Sequence, residues 1–224
     1  MEEIVKILKI EQVTHDVKKF AVEKPKGYEF VPGQATNISI NKDEWEHEKR
    51  PFTFASLNED KNLEFIIKIY PEKKGVTLEM DSLEAGDELI IGEPWGTINY
   101  KDEGVFIGAG AGVTPFIAIL RELKKKGKFG NNFLIVSNKT SKDIILEDEL
   151  KKMFKEQPEN LILTLTRENK KGYLSGRIDK KFLQKIINRC PKNFYICGPE
   201  SFVEDIKKIV TELGCRAESF VIEE

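Results

Sequence analysis

Residues 104–115 read Gly-Val-Phe-Ile-Gly-Ala-Gly-Ala-Gly-Val-Thr-Pro. A short apolar run, long enough for one buried strand, leads through Gly108, Gly110 and Gly112 to Thr114-Pro115 and a helix expected over 115–126. Proline suits the first turn of a helix, where its missing N–H has no intrahelical acceptor. A strand, a glycine turn and a helix start make the setting in which backbone N–H groups can cradle a phosphate. The glycines are spaced differently from the common G-x-G-x-x-G pattern, because the third follows two residues after the second. On its own the turn therefore also fits an ordinary strand-to-helix connection.

Working outward, the residues after this turn alternate between two patterns. Short apolar runs at 133–136, 161–166, 194–197 and 216–222 read as strands, and helical spacing falls at 146–154, 180–187 and 201–213. With 104–107 this predicts five strands in a parallel sheet covered by helices on both faces. Residues before the turn have a different rhythm. Runs at 4–13, 17–22, 35–40, 52–56, 63–70 and 88–91 alternate apolar and polar residues, punctuated by Pro25-Lys26-Gly27, Pro32-Gly33 and Pro94-Trp95-Gly96. Six short antiparallel strands of this kind predict a small barrel, with one helical insert at 76–83. The polar stretch at 99–104 separates the two halves.

The barrel half carries Arg50-Pro51-Phe52-Thr53-Phe54-Ala55-Ser56. On a strand, alternate side chains share a face, so Arg50 and Phe52 project together. A cation, an aromatic face and a hydroxyl within four residues match what a flavin needs. Its pyrophosphate wants a cation, its ring a flat apolar partner, and its reactive nitrogen a hydrogen-bonding group. The same segment also reads as a barrel strand beside a surface arginine. A second segment, Lys74-Gly75-Val76-Thr77, stands where a helix begins, and unpaired N–H groups there could meet the pyrophosphate. It equally reads as a loop and a helix cap.

In the second half, Tyr195-Ile196-Cys197-Gly198-Pro199 again ends a strand in a glycine turn before a helix. That places a thiol at the carboxyl edge of the sheet, where ligands of such sheets bind. A lone cysteine there also reads as a buried structural residue. Basic residues gather after the second and third strands of this half: Asn138-Lys139, Thr166-Arg167-Glu168, Lys170-Lys171 and Arg177. An acid at the strand end would suit a free ribose hydroxyl, whereas arginine suits a 2′-phosphate. The pattern leans to NADPH, with NADH open.

Composition excludes several classes. The chain has 224 residues with a net charge of -2, which gives no general attraction to nucleic acid. No apolar run approaches the roughly 20 residues that span a bilayer. The start, Met1-Glu2-Glu3-Ile4-Val5-Lys6, does not read as a secretory signal. The three cysteines, Cys190, Cys197 and Cys215, form no C-x-x-C pair, so we expect no structural disulfide, no zinc and a reducing cytoplasm. The two histidines, His15 and His47, read as surface residues and suggest no metal site.

Four motifs in order, Arg50-Pro51-Phe52-Thr53, Lys74-Gly75-Val76-Thr77, the turn at 108–115 and Cys197-Gly198-Pro199, resemble the ferredoxin–NADP reductase superfamily. The likeness is strongest to its short bacterial flavodoxin/ferredoxin reductase and flavin reductase members, and it covers essentially the whole chain. It implies a two-domain fold: a six-stranded antiparallel β-barrel binding FAD over 1–101, then an NAD(P)-binding α/β domain with a five-stranded Rossmann-like parallel sheet over 102–224. It implies that Arg50, Phe52 and Thr53 contact the flavin, that Lys68 and Tyr70 line it, that Lys74, Gly75, Val76 and Thr77 bind its phosphates, and that Thr114 lies close by. In the second domain Gly110, Gly198 and Pro199 belong to the nucleotide-binding turns, and Asn138, Arg167 and Arg177 match positions at the adenosine end. Cys197 matches a thiol beside the nicotinamide, and Glu218 and Phe220 match a C-terminal acid and aromatic beside the flavin. Thr53, Cys197 and Glu218 are the catalytic candidates. Phe52 stands where tyrosine is commoner, and Thr53 where serine is.

The activity so implied is electron passage between NADPH, bound FAD and a small carrier such as flavodoxin or ferredoxin. Two other readings stay open. One is an NAD(P)H:flavin reductase that releases reduced free flavin. The other is a non-catalytic electron-transfer subunit, although the last residues lack the cysteine cluster that would hold an iron–sulfur centre.

Overall fold

The computed structural model describes residues 2–96, 98–187 and 190–215, and the backbone of 219–222. The chain divides into two compact units. One comprises Met1–Asn99 with Thr114–Glu122, the other Tyr100–Val113 with Leu123–Glu224.

The first unit is built on β1 (Glu3–Thr14), β2 (Val17–Glu23), β3 (Ala35–Ile40), β4 (Arg50–Thr53), β5 (Asn62–Lys68) and β6 (Glu88–Ile91). They form one sheet in the order β4-β3-β6-β1-β2-β5, with every pairing antiparallel. The two edge strands meet where Phe54 pairs Phe65 and the Ala55 N–H donates to the Glu64 carbonyl at 2.8 Å, which closes the sheet on itself. Alternation drives the closure. Val5 and Ile7 of β1 and Leu63, Phe65 and Ile67 of β5 point inward and are buried, while Ile4, Lys6 and Leu8 of β1 face out. Phe20, Phe54, Ile38, Ile40 and Met80 fill the inside. The predicted helical insert is shorter than expected, with a single turn, α1 (Val76–Glu79), running into a 3₁₀ turn at Met80–Ser82.

The second unit is built on β7 (Gly104–Ala109), β8 (Phe133–Asn138), β9 (Leu161–Leu165), β10 (Leu174–Ser175), β11 (Asn193–Cys197) and β12 (Ser219–Ile222). The order is β10-β9-β8-β7-β11-β12, and all pairs are parallel. The five expected strands are present, and the two-residue β10 adds a short edge beyond β9. The helices are α2 (Thr114–Lys125), α3 (Glu147–Met153), α4 (Lys180–Ile186) and α5 (Glu200–Glu212). Val105, Phe106 and Ile107 of β7 and Phe194, Tyr195 and Ile196 of β11 are all buried, the continuous apolar run of strands covered on both faces. One face packs Val105, Ile107, Phe194 and Ile196 against Leu183 of α4 and Val203, Ile206 and Val210 of α5. At the amino end of the sheet the buried Tyr195 hydroxyl donates to the Asp102 carbonyl at 2.8 Å and accepts from the Lys101 N–H at 3.0 Å.

The expectation that no disulfide forms is corrected: Cys190 and Cys215 are bonded. They lie 25 residues apart in sequence, but one precedes β11 and the other precedes β12, and these strands are neighbours. Spacing along the chain could not reveal a pairing made by sheet order. Among the described residues no helix is long and apolar enough to cross a membrane.

Candidate functional site

In the barrel unit, β4 lies along β3 with Thr36 opposite Phe52 and Ala35 opposite Thr53. That register buries Thr53, whose hydroxyl donates to the Thr114 hydroxyl at 3.1 Å. Thr114 opens α2 and is itself buried. Phe52 is half-buried against the barrel core. The Arg50 guanidinium is exposed and donates to the neighbouring Lys49 carbonyl at 2.7 Å and the Glu48 carboxylate at 3.2 Å. Such exposed local contacts contribute little, so the side chain can exchange them for a phosphate at small cost.

Tyr70 follows β5 and lies half-buried beneath two ammonium groups, Lys73 at 5.0 Å and Lys68 at 5.9 Å from its ring centre. Lys68 is also paired with the Asp16 carboxylate at 2.5 Å. Burial pushes the Asp16 carboxyl up, but hydrogen bonds from Lys68 and Thr14 outweigh it and hold the group below the usual range. Lys68 therefore carries a charge already balanced within the barrel. Lys74 is exposed, and Gly75 caps α1 in an extended conformation. Val76 buries its side chain in the core, while the first N–H groups of the turn, at Val76 and Thr77, have no preceding carbonyl to bond.

In the second unit the strand order reverses direction between β7 and β11, and ligands of open parallel sheets bind at the carboxyl ends of such a pair. The residues there are the two glycine turns. β7 runs into a 3₁₀ turn at Gly110–Val113. Gly110 has φ 54°, the left-handed region that glycine adopts most easily. Gly112 serves another need. A methyl group there would overlap the Cys197 carbonyl, so its missing side chain lets the first turn lie directly on the end of β11. The Cys197 thiol is buried and is not part of the disulfide.

Beside this pair, Asn138 ends β8. Its carbonyl accepts from the Thr166 N–H at 2.9 Å and the Thr166 hydroxyl at 3.2 Å. The residue is 5% exposed, and neither carboxamide atom has a hydrogen-bond partner in the protein. A buried carboxamide without protein partners costs about 1–3 kcal/mol, and this one stands at the sheet edge where ligands of open parallel sheets bind. The Arg167 N–H donates to the Lys139 carbonyl at 2.8 Å, which fixes the backbone, while the guanidinium stays exposed. Among the described residues the side chains of Arg167 and Arg177 have no acid or carbonyl partner. The one acid between them is already engaged: Glu168 accepts from the Ser141 N–H at 2.6 Å, and this bond holds its carboxyl below the usual range. Lys170 reaches the Ser141 hydroxyl at 2.9 Å.

The structure thus brings Thr53 to Thr114 in the first unit, and Cys197 and Gly198 to the glycine turn in the second. Glu218 lies outside the described residues, as does the side chain of Phe220, whose backbone on β12 stands opposite Phe194. The sequence reading passed over Arg121, which holds the Ala55 carbonyl and the Glu64 carboxylate, each at 2.7 Å. Its helical spacing from Thr114 was available as a signal, but its acceptor is a backbone carbonyl, which no side-chain motif marks.

Comparison with known proteins agrees with this division of labour. The family described as the oxidoreductase FAD-binding domain matches residues 4–100, and the oxidoreductase NAD-binding domain matches residues 106–208. The reductase component, ferredoxin–NAD(P)(+), of a naphthalene 1,2-dioxygenase system in Pseudomonas putida is 25% identical over 218 residues, covering 95% of this chain and 65% of that protein. The reductase component of a propane 2-monooxygenase from Rhodococcus jostii is 28% identical over 223 residues, covering 93% of this chain and 60% of that protein. The chain thus spans less than two thirds of the length of these relatives. The crystal structure of a ferredoxin NADP+ reductase from Neisseria gonorrhoeae, with bound FAD and NADP, shares the fold at a TM-score of 0.82. It is 20% identical and covers 95% of this chain and 92% of that one.

Proposed function

This chain belongs to the ferredoxin reductase-like superfamily of FAD-dependent NAD(P)H oxidoreductases, and on that premise we propose that it passes electrons from NADPH through bound FAD to a small acceptor protein of the ferredoxin or flavodoxin kind. When bound, FAD would supply the redox chemistry of hydride acceptance and one-electron release. The residues supply binding and orientation. Arg50 and the first N–H groups of α1, with Lys74 and Gly75 beside them, hold the flavin pyrophosphate. Phe52 and Tyr70 offer their faces to the ring. The Thr53 hydroxyl can donate or accept as it rotates, with Thr114 as the complementary partner. That suits a ring nitrogen that is an acceptor before reduction and a donor after it.

In the second unit Gly110 and Gly198 keep side chains away from the nucleotide backbone, and Pro199 starts α5 beside them. Asn138, whose carboxamide atoms are enclosed and unpaired in the free protein, turns its side chain outward to the adenosine end. Arg167 and Arg177 receive the 2′-phosphate, since Glu168 is held by Ser141 and leaves them uncompensated. Cys197 offers its thiol at the carboxyl end of β11, on the nicotinamide side. The observation that carries this reading is the orphaned carboxamide of Asn138 at the edge where such sheets bind ligands, with the Arg167 N–H bonded to the carbonyl of the adjoining Lys139.

The test is optical. The purified protein, or the protein after addition of FAD, should retain about one flavin per chain and bleach on anaerobic addition of NADPH. A protein that takes up no FAD would overturn the proposal. One that turns over added flavin without retaining it is a flavin reductase instead.

A further inference from the structure

Thr114 and Arg121 lie about two helical turns apart, which sets them on one face of α2. Both residues belong to the barrel unit, and both grip the same short stretch of it. Thr114 takes the hydroxyl of Thr53 at 3.1 Å. Arg121 donates from Nη1 to the carbonyl of Ala55, two residues further on, at 2.7 Å. The same Nη1 donates to Glu64 at 2.7 Å. This is the seam where the barrel closes: the Ala55 N–H donates to the Glu64 carbonyl, and the Glu64 N–H donates to the Ser56 hydroxyl at 3.0 Å.

Residues 54–56 lie beyond the end of β4, where the Phe54 N–H donates to the Gln34 carbonyl at 3.0 Å and the Ala55 N–H to the Glu64 carbonyl, and Arg121 adds a hold on the Ala55 carbonyl. Arg121 and Glu64 are each mostly buried, with 18% and 26% of their side chains exposed, and the pair is continued by Lys19 at 3.7 Å from Glu64 and 2.6 Å from Glu11. A charge-assisted bond to a carbonyl, in a place largely shielded from water, is the stronger kind and has a fixed direction. It holds the backbone at Ala55, and through it the carbonyl-to-hydroxyl geometry two residues upstream.

We propose that Arg121 is a positioning residue of the flavin site. It clamps the barrel seam at Ala55 so that Thr53 is kept against Thr114, presenting its hydroxyl to the ring in one orientation. This rests on the reading that Thr53 faces the flavin. The clamp itself is a property of the free protein and is measured without cofactor.

The experiment uses the full chain with and without FAD. In the apoprotein, Arg121→Met should speed amide hydrogen exchange across 53–56 about tenfold while leaving 133–138 unchanged. In the FAD-loaded protein it should alter the visible circular dichroism of the flavin. It should also slow anaerobic reduction by NADPH about tenfold, with KM within twofold of wild type. Arg121→Lys, whose ammonium reaches one acceptor well and not both, should fall between. Lys19→Gln cuts the link between Glu64 and Glu11, leaving the Arg121–Glu64 pair, and should change neither exchange nor flavin signals. If Arg121→Met lowers the melting temperature but leaves exchange at 53–56 and the flavin signals as in wild type, the residue is structural only and the proposal falls. Should that variant not fold, unchanged exchange in Arg121→Lys overturns it in the same way. Wild-type protein that takes up no FAD would overturn the proposed function, while exchange in the apoprotein still decides the clamp.

Discussion

Single residues in this protein differ in how far they are committed before any ligand arrives. Lys68 is paired with Asp16 and adds little net field, whereas Arg167 and Arg177 have nothing to neutralise them among the described residues. An uncompensated guanidinium is the cheapest way to select a 2′-phosphate, because no existing ion pair has to be broken. Arg167→Ala is therefore expected to lower kcat/KM for NADPH about tenfold or more, the loss of a charged hydrogen bond worth about 1.5–3 kcal/mol. NADH should change less than twofold, since it lacks the phosphate. Steady-state kinetics with both nucleotides checks this, and equal losses would remove the role given to Arg167.

The residue types themselves were legible from the chain alone: the cation, aromatic and hydroxyl of 50–53, the thiol at 197, the basic residues after β8 and β9. Their state was not. Nothing in the sequence says that Glu168 is spent on the Ser141 N–H, or that Asn138 is buried with both carboxamide atoms idle. Those facts depend on which loops the sheet brings side by side.

Among the elements, the glycine turn after β7 is where sequence and structure part most instructively. Its irregular spacing makes it a poor phosphate fingerprint, and the structure supplies a different reason for its third glycine. Gly110 takes a left-handed conformation in open space, while Gly112 makes way for the backbone of Cys197 and Gly198. The two should respond differently to alanine. Gly110→Ala should cost about 1–2 kcal/mol, the penalty of a side chain in the left-handed region. Gly112→Ala should cost more, because it drives a methyl group into main chain that cannot rotate away, and it should raise the reactivity of the displaced Cys197 thiol. Denaturant unfolding and thiol titration measure both. A Gly112→Ala protein as stable as Gly110→Ala would show that the turn lifts off without consequence.

Element boundaries came close to their sequence signals where alternation or a continuous apolar run set them, as in β3 and β6. They came out differently at the insert after β5, where helical spacing over 76–83 predicted one helix and a single turn followed by a 3₁₀ turn formed instead. Burial of Val76, Met80 and Leu83 in the barrel core sets that path.

Across the whole molecule the Cys190–Cys215 bond is the largest departure from the sequence reading. It ties the approach to β11 to the approach to β12, two strands adjacent in the sheet. With its ends 25 residues apart in sequence, the chain-entropy relation assigns it about 3.5 kcal/mol of stability. Unfolding of the second unit in denaturant should shift by about that amount on reduction or in Cys190→Ser, with the barrel's own transition unmoved. No shift would mean that the bond contributes nothing in solution. A structural disulfide also weakens the inference of a reducing compartment drawn from cysteine count alone.

The chain by itself determined the two architectures. Period-two alternation with turn residues asks for antiparallel strands that bury one face, and apolar runs alternating with helical segments ask for a parallel sheet covered by helices. It also determined which residues offer reactive groups, because charge, hydroxyl, thiol and aromatic face belong to the side chain wherever it goes. Tertiary structure alone decided the pairings: Thr53 with Thr114, Arg121 with the Ala55 carbonyl, Gly112 with the Cys197 carbonyl, Cys190 with Cys215. The physical reason is common to all four. Each joins segments distant in sequence through strand order and backbone position, and neither is written in the identity of the residues that meet.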